Sequence, residues 1–465
     1  MPMLRDTRGL EVSTRNPRSL EAYERASDEL HRYSGNPLAT IDAALAEDPG
    51  FALGHCLKAA LAVGATERPL EPMLRAAVEA AEALAAGATE RERAHAAAAR
   101  AWLERDFDGA LDRYARLAID HPRDALAVQI AHVLAFYLGR QLALRDVVAR
   151  ALHAWDERVP GYGYLLGMYA FGLEENGDYA RAEEVGRRAV ELDPRDGWAS
   201  HAVAHVMEMQ TRLPEGIAWL EQGSRGWDPD NAFAYHNIWH LALYHLDLGD
   251  VGRVLDLYDT RVRPHRSDVV LELVDASALL WRLHLGGHGV GARFEALADD
   301  WRSRLADDYY VFNDVHALMA FLGAHREADA GALLAAVERR AGEAGSNGRM
   351  AREVGLPACR ALVAFDRGDF RTCVDLLLPL RDTAVRFGGS NAQRDVLAQT
   401  LIEAAMRGGD AALARALASE RARLRPGSPA TWVVQARALD LAGAPEEAAS
   451  ARDRALRLRA RLLAA

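Results

Sequence analysis

A block of ~34 residues that recurs along this chain constrains its fold more than any other feature. The segment Gly163 to Asp196 ends GDYARAEEVGRRAVELDPRD. It places Gly177-Asp178-Tyr179 where one helix turns into the next, then Ala182, Ala189 and Pro194. A pair of helices packed as a hairpin needs a small residue where the axes cross and a proline where the second helix stops. Asp106-Phe107 leads in the same way to Ala110 and Pro122, with Leu117 standing where the first block has Ala189. Gly249-Asp250 separates another pair, Gly368-Asp369-Phe370 leads to Cys373, and Gly409-Asp410 leads to Ala414 and Pro426. Gly443 leads to Ala448 and Ala455, with Trp432 preceding it where an aromatic belongs.

Neither helix of such a pair can bury its apolar stripe alone, so stacked pairs share a continuous core. The expected fold is therefore all-α, a tetratricopeptide-like α-solenoid in which antiparallel helix pairs wind as a right-handed superhelix. Residues 1–90 read as degenerate helical pairs around Asn36-Pro37 and Pro69-Leu70. Residues 91–341 read as regular repeats with a central groove, and residues 342–465 as further repeats ending in a capping helix. Strand signals are absent, since no period-2 run is rich in Val, Ile and Thr. The stretch GEAGSNGRMAREVG, Gly342 to Gly355, reads as a loop between repeats. The basic, amphipathic run Arg452 to Arg461 reads as the cap, because terminal repeats need one polar face.

Charge narrows the function. Lys and Arg together number 56 against 67 acidic residues, a net charge of −11, and Lys58 is the single lysine. Nucleic acids and anionic membranes are recognised by concentrated basic surface, so neither is expected as a partner. Cys56, Cys359 and Cys373 are scattered, with no CxxC pair, so they read as core thiols in a reducing compartment. Residues Met1 to Arg18 carry six charged side chains and no apolar run, and no stretch reaches the ~20 apolar residues of a spanning helix. A cytoplasmic location follows as the expectation. Phosphate-loop, HExxH and GxSxG signatures are missing, and Gly286-Gly287-His288-Gly289 follows no strand, so it reads as a repeat turn.

Two successive blocks each contribute a histidine pair. His201 and His205 are followed, 35 residues on in both cases, by His236 and His240. Spacing of four puts each pair on one face of its helix. Within their blocks they fall at positions 5 and 9 and positions 2 and 6, and positions 2, 5 and 9 of the first helix face the concave groove. Glu208 continues the stripe, while Tyr235, Trp239 and Tyr244 lie on the neighbouring helix. Three readings stay open here. The imidazoles could hold a divalent metal, with Glu208 as an added carboxylate. They could form a His-aromatic pocket for an organic ligand or supply a general acid and base. They could also simply fix packing through interhelix hydrogen bonds. A second polar group, Asp275 and Ser277 with Asn313, Asp314 and His316, either extends the pocket or bonds between repeats. Gln393 and Arg394, after Gly388-Gly389, either receive an anion or cap a helix.

Several long segments resemble the tetratricopeptide repeat protein 38 family. They are PGYGYLLGMYAFGLEE from Pro160, HAVAHVMEMQ from His201, AYHNIWHLALYHLDLGD from Ala234, LVDASALLWRL from Leu273, FNDVHALMAF from Phe312 and RFGGSNAQRDV from Arg386. The resemblance runs through most of the chain from about Arg91 and implies an α-superhelical fold without a reaction. The leading functional expectation is a binding protein whose concave groove, centred on residues 160–320, receives a peptide or small molecule. The alternative is an enzyme, metal-dependent or not, acting through the same four histidines. A peptide-carboxylate clamp would place Lys, Arg and Asn on the groove positions, which here carry His and aromatics.

Overall fold

Gly177, Gly249, Gly368 and Gly409 all adopt positive φ, between 75° and 80°, and each stands between two helices. Only a residue without Cβ takes that left-handed conformation at no steric cost, which is why the turn recurs with glycine. The aspartate that follows starts the next helix. Asp250, Asp369 and Asp410 each accept a hydrogen bond from the backbone N–H three residues on, satisfying one donor that a helix start leaves orphaned. Asp178 holds the same position without a side-chain cap bond.

The computed structural model describes residues 3–227 and 231–463, and nearly all the secondary structure in it is helical. The fold class is all-α and tetratricopeptide-like. Small residues occupy the helix crossings as the packing requires. Ala110, Ala182, Ala189, Cys373, Ala414 and Ala448 are all fully buried, and Leu117 is accommodated at 2% exposure. Cys56 and Cys359 are buried free thiols as well. No helix among the described residues is long and apolar enough to cross a membrane.

The described residues divide into two compact units. The first comprises those in Met1–Val203, Arg225–Ala234 and Ala344–Asn347. It begins with a short antiparallel ladder, Leu4–Arg5 against Glu11–Val12, which no period-2 run foreshadowed. Two residues per strand are too few for such a pattern. The buried Arg91 guanidinium anchors the ladder, bonding the Glu11 carbonyl at 3.1 Å and the carboxylates of Asp124 and Asp6. Helix pairs then follow, from Pro17–Arg32 with Pro37–Glu47 to Tyr162–Glu175 with Tyr179–Leu192.

The second unit comprises the described residues of Ala204–Ser224, Tyr235–Glu343 and Gly348–Ala465. Its helices include Ala234–Asp247, Val270–Leu285, Val311–Gly323, Asn391–Arg407 and Ala411–Leu424, and it ends with Pro429–Leu441 packed on Pro445–Leu463. The last helix buries only Ala448, Ala451 and Ala455, leaving its arginine face to solvent. The expected loop from Gly342 to Gly355 needs correction. Residues Gly345–Met350 are α-helical, Ala351–Gly355 form a π-turn, and both run into the helix Leu356–Asp366. Burial of Met350, Ala351 and Val354 outweighs the weak helix propensity of the Gly-Ser-Asn-Gly run.

Candidate metal centre and adjoining cavity

The helix Gly197–Met209 carries His201 and His205 one turn apart, on the same face. His201 keeps aromatic company in the first unit, with ring centroids 5.2 Å from Phe171, 5.2 Å from Trp198 and 5.0 Å from Phe233. His205 lies in the second unit, where the helix Ala234–Asp247 brings up His236 and His240. The His205 and His240 rings are 4.4 Å apart, and His236 and His240 are 4.9 Å apart. One ring nitrogen from each of these three lies within 4.8 Å of the others. His205 and His240 are fully buried and His236 is 7% exposed.

Two carboxylates stand behind this group. His240 Nδ1 donates to Glu208 at 2.7 Å, and His236 Nδ1 donates to Asp275 at 2.6 Å. A carboxylate on Nδ1 fixes the tautomer, so each ring presents the lone pair of Nε2 on its other side. Glu208 thus holds a histidine, rather than standing as a separate ligand beside the four. Asp275 joins the group although its sequence position suggested a second cluster. Burial dominates the electrostatics. It lowers His240 well below the ordinary histidine value, with His205, His236 and Arg282 adding to the effect. It also raises Glu208 to about 7 against the opposing pull of Arg425, His205 and Arg282.

The other expected site residues divide between this group and plain packing. Trp239 is fully buried and stacks on His236 with centroids 5.3 Å apart. Tyr235 meets the edge of His236 at 6.4 Å. Tyr244 donates its hydroxyl to the Ala204 carbonyl at 2.6 Å, a packing bond. Ser277 bonds the Leu273 carbonyl and accepts from the Trp301 indole. Asp314 pairs with Arg340, and His316 Nδ1 bonds the Phe312 carbonyl at 2.8 Å. Gln393 closes a capping box with Ser390, which settles the cap reading for that turn.

A cavity of about 470 Å³ adjoins the centre inside the second unit, and Glu208 belongs to its wall. Arg282, Arg407, Arg421, Arg425 and Arg437 also line it, with Asp247, Asp395 and Glu403. The Gly286-Gly287-His288 turn forms part of its rim. Arg282 lies over the Trp239 ring at 5.5 Å, so its guanidinium and the His236 imidazole cover the same indole. Asp275 and Arg282 sit two turns apart on Val270–Leu285, and that i, i+7 pair of charges in an apolar helix was the sequence signal for the link between centre and cavity.

No protein-family model matches the sequence. Among solved structures, the chain is similar to the human IFIT1 dimer with PPP-AAAA, at 13% identity over 94% of each chain and a TM-score of 0.41. It is also similar to the structure of Naa15/Naa10 bound to HypK-THB, at 13% identity over 80% of this chain and 64% of that one, with a TM-score of 0.24. A third is the TPR domain of P58(IPK), at 12% identity over 81% of this chain and 98% of that one, with a TM-score of 0.22. Likenesses this distant carry no argument about ligand or activity.

Proposed function

We propose that this chain is a metal-binding tetratricopeptide-like protein whose imidazole group holds a divalent transition metal. The observation that carries the reading is the approach of ring nitrogens from His205, His236 and His240 to within 4.8 Å, with Glu208 and Asp275 on the far side of two rings. Imidazole-rich sets suit zinc, copper, nickel or iron, and a carboxylate behind a ligating histidine is the usual support of such a set. We further propose membership of the tetratricopeptide repeat protein 38 family, on the segments quoted above, which carries no reaction with it. The expectation that nucleic acid is not a partner is kept, since most arginines of the cavity already face carboxylates.

Elemental analysis after equilibration with zinc and gel filtration tests the reading. The expected result is one metal per chain, lost in the double variant His205→Ala/His240→Ala with helical content retained. A wild-type chain that is folded by circular dichroism yet takes up no zinc, cobalt or nickel refutes it. Ligand binding by the same unit has separate support in the cavity that Glu208 borders.

A further inference from the structure

We infer that the cavity of the second unit binds an amphipathic organic anion, a carboxylate or phosphate group on an apolar body, seated on Arg282. The charges around the cavity leave room for one. Arg421 pairs with Asp395, Arg425 with Asp247, and Arg407 and Arg437 share Glu403. Four guanidinium groups therefore answer to three carboxylates, and the fourth acid on the wall, Glu208, is held by His240. Arg282 has no carboxylate partner among the described residues. Its hydrogen bonds run to the carbonyls of Ala278 and Ala392, at 3.0 and 2.7 Å. Those bonds satisfy geometry, and Asp395 and Glu208 act on the charge only through space, in a residue only 4% exposed. An unpaired buried cation is costly, and an anion placed in the adjoining space removes that cost. Arg425 adds a buried Nε with no hydrogen-bond partner.

The rest of the wall defines the body of the ligand. Leu243, Leu246, Leu285, Ile402, Met406 and Val434 present apolar surface to the same space. A volume of about 470 Å³ falls within the ~300–1,000 Å³ typical of small-molecule sites. Apolar walls with a few convergent polar groups select a ligand with one charged end, whereas an inorganic ion would leave most of the lining unsolvated. The inference stands apart from the metal reading, and a failure to bind zinc leaves it intact.

Isothermal titration of the full chain with decanoate, decyl phosphate and decanol, each below its aggregation concentration, tests it. The expected result is saturable one-to-one binding of at least one anion, with decanol at least tenfold weaker. Arg282→Gln is expected to weaken that anion at least tenfold and leave decanol unchanged. Decanol binding as tightly as the anions overturns the inference, as does failure of both anions to bind. So does a folded Arg282→Gln variant with unaltered affinity. Should that variant not fold, Val434→Phe fills the cavity from a half-buried position and keeps the charges. Loss of anion binding with helical content intact then supports the site, and retained binding overturns it.

Discussion

Asp275→Asn separates a metal-supporting carboxylate from a packing acceptor. Asp275 is 1% exposed and accepts from His236 Nδ1 at 2.6 Å. Asparagine has the same shape, and its carbonyl oxygen can accept the same proton, so the metal-free fold should lose less than ~1 kcal/mol. What disappears is a negative charge behind the ligand. A divalent ion on Nε2 lies roughly 6 Å from that carboxylate, for which Coulomb's law at an effective dielectric of ~20 gives about 5.5 kcal/mol. Supporting carboxylates in metal sites usually contribute less, ~10–100-fold in affinity or about 1.4–2.7 kcal/mol. Competition against a chromophoric zinc chelator reads the affinity, and urea unfolding in EDTA reads the metal-free stability. The expected pattern is a zinc Kd weakened 10–100-fold with an almost unchanged urea midpoint. Asp275→Ala should weaken both, because the buried N–H then has no acceptor. A zinc Kd within twofold of wild type in Asp275→Asn refutes the supporting role.

Two further outcomes test the packing around these sites. A Cβ at Gly216 would fall inside van der Waals contact of the Tyr244 ring, whose hydroxyl bonds the carbonyl preceding His205. Gly216→Ala gains ~1 kcal/mol of helix propensity. Against that it meets ~1–3 kcal/mol of overpacking and the loss of a bond worth ~1 kcal/mol. A net loss of ~1–3 kcal/mol in urea unfolding is expected, and a variant as stable as wild type refutes the contact. In the first unit, burial lowers His31 and His132 to about 4, with Arg8 adding to the shift of His31. Their unfolded value is near ~6.5, so stability is complete above that pH and declines as pH falls towards 4, by up to ~3 kcal/mol for each ring. Asp196, raised to about 7 by burial, acts in the opposite sense and offsets part of the loss. A His31 or His132 resonance that titrates near ~6.5 in the folded chain contradicts this assignment.

The features legible in the sequence were those written in local spacing. A Gly-Asp pair needs only two adjacent residues to break one helix and cap the next, and the four such turns all lie between helices. The i, i+4 histidine pairs are likewise local, and the 35-residue offset places them on consecutive first helices. Residues whose partners lie elsewhere in the chain were harder to assign. Asp314 could be read as a pocket residue or as an interhelix partner, and its ion pair is with Arg340 on the following helix. Gly342 to Gly355 looked like a loop because four glycines and a Ser-Asn pair interrupt its helix formers, and the burial that folds it is visible only once the neighbouring helices are in place.

The arginine cavity illustrates the same limit at longer range. Arg282, Asp395, Arg421 and Arg437 come from four different helices, and no short window contains more than two of them. In a chain whose basic residues are almost all arginine, composition cannot single out the cavity arginine that has no carboxylate within bonding distance among the described residues. Geometry can, because each of the other four has an acid within bonding distance. The same geometry ties the cavity to the imidazole group twice over. Glu208 is on the cavity wall and receives the His240 proton, and Trp239 is covered by Arg282 and His236. An anion seated on Arg282 would therefore alter the field at both Glu208 and the histidines. By linkage, a metal on those histidines must change anion affinity by the same factor as the anion changes metal affinity. Titrating decanoate into zinc-loaded and EDTA-treated chain, and zinc into decanoate-saturated chain, measures both sides of that cycle. Equal coupling factors different from one place the two sites in a single functional unit, and factors of one separate them.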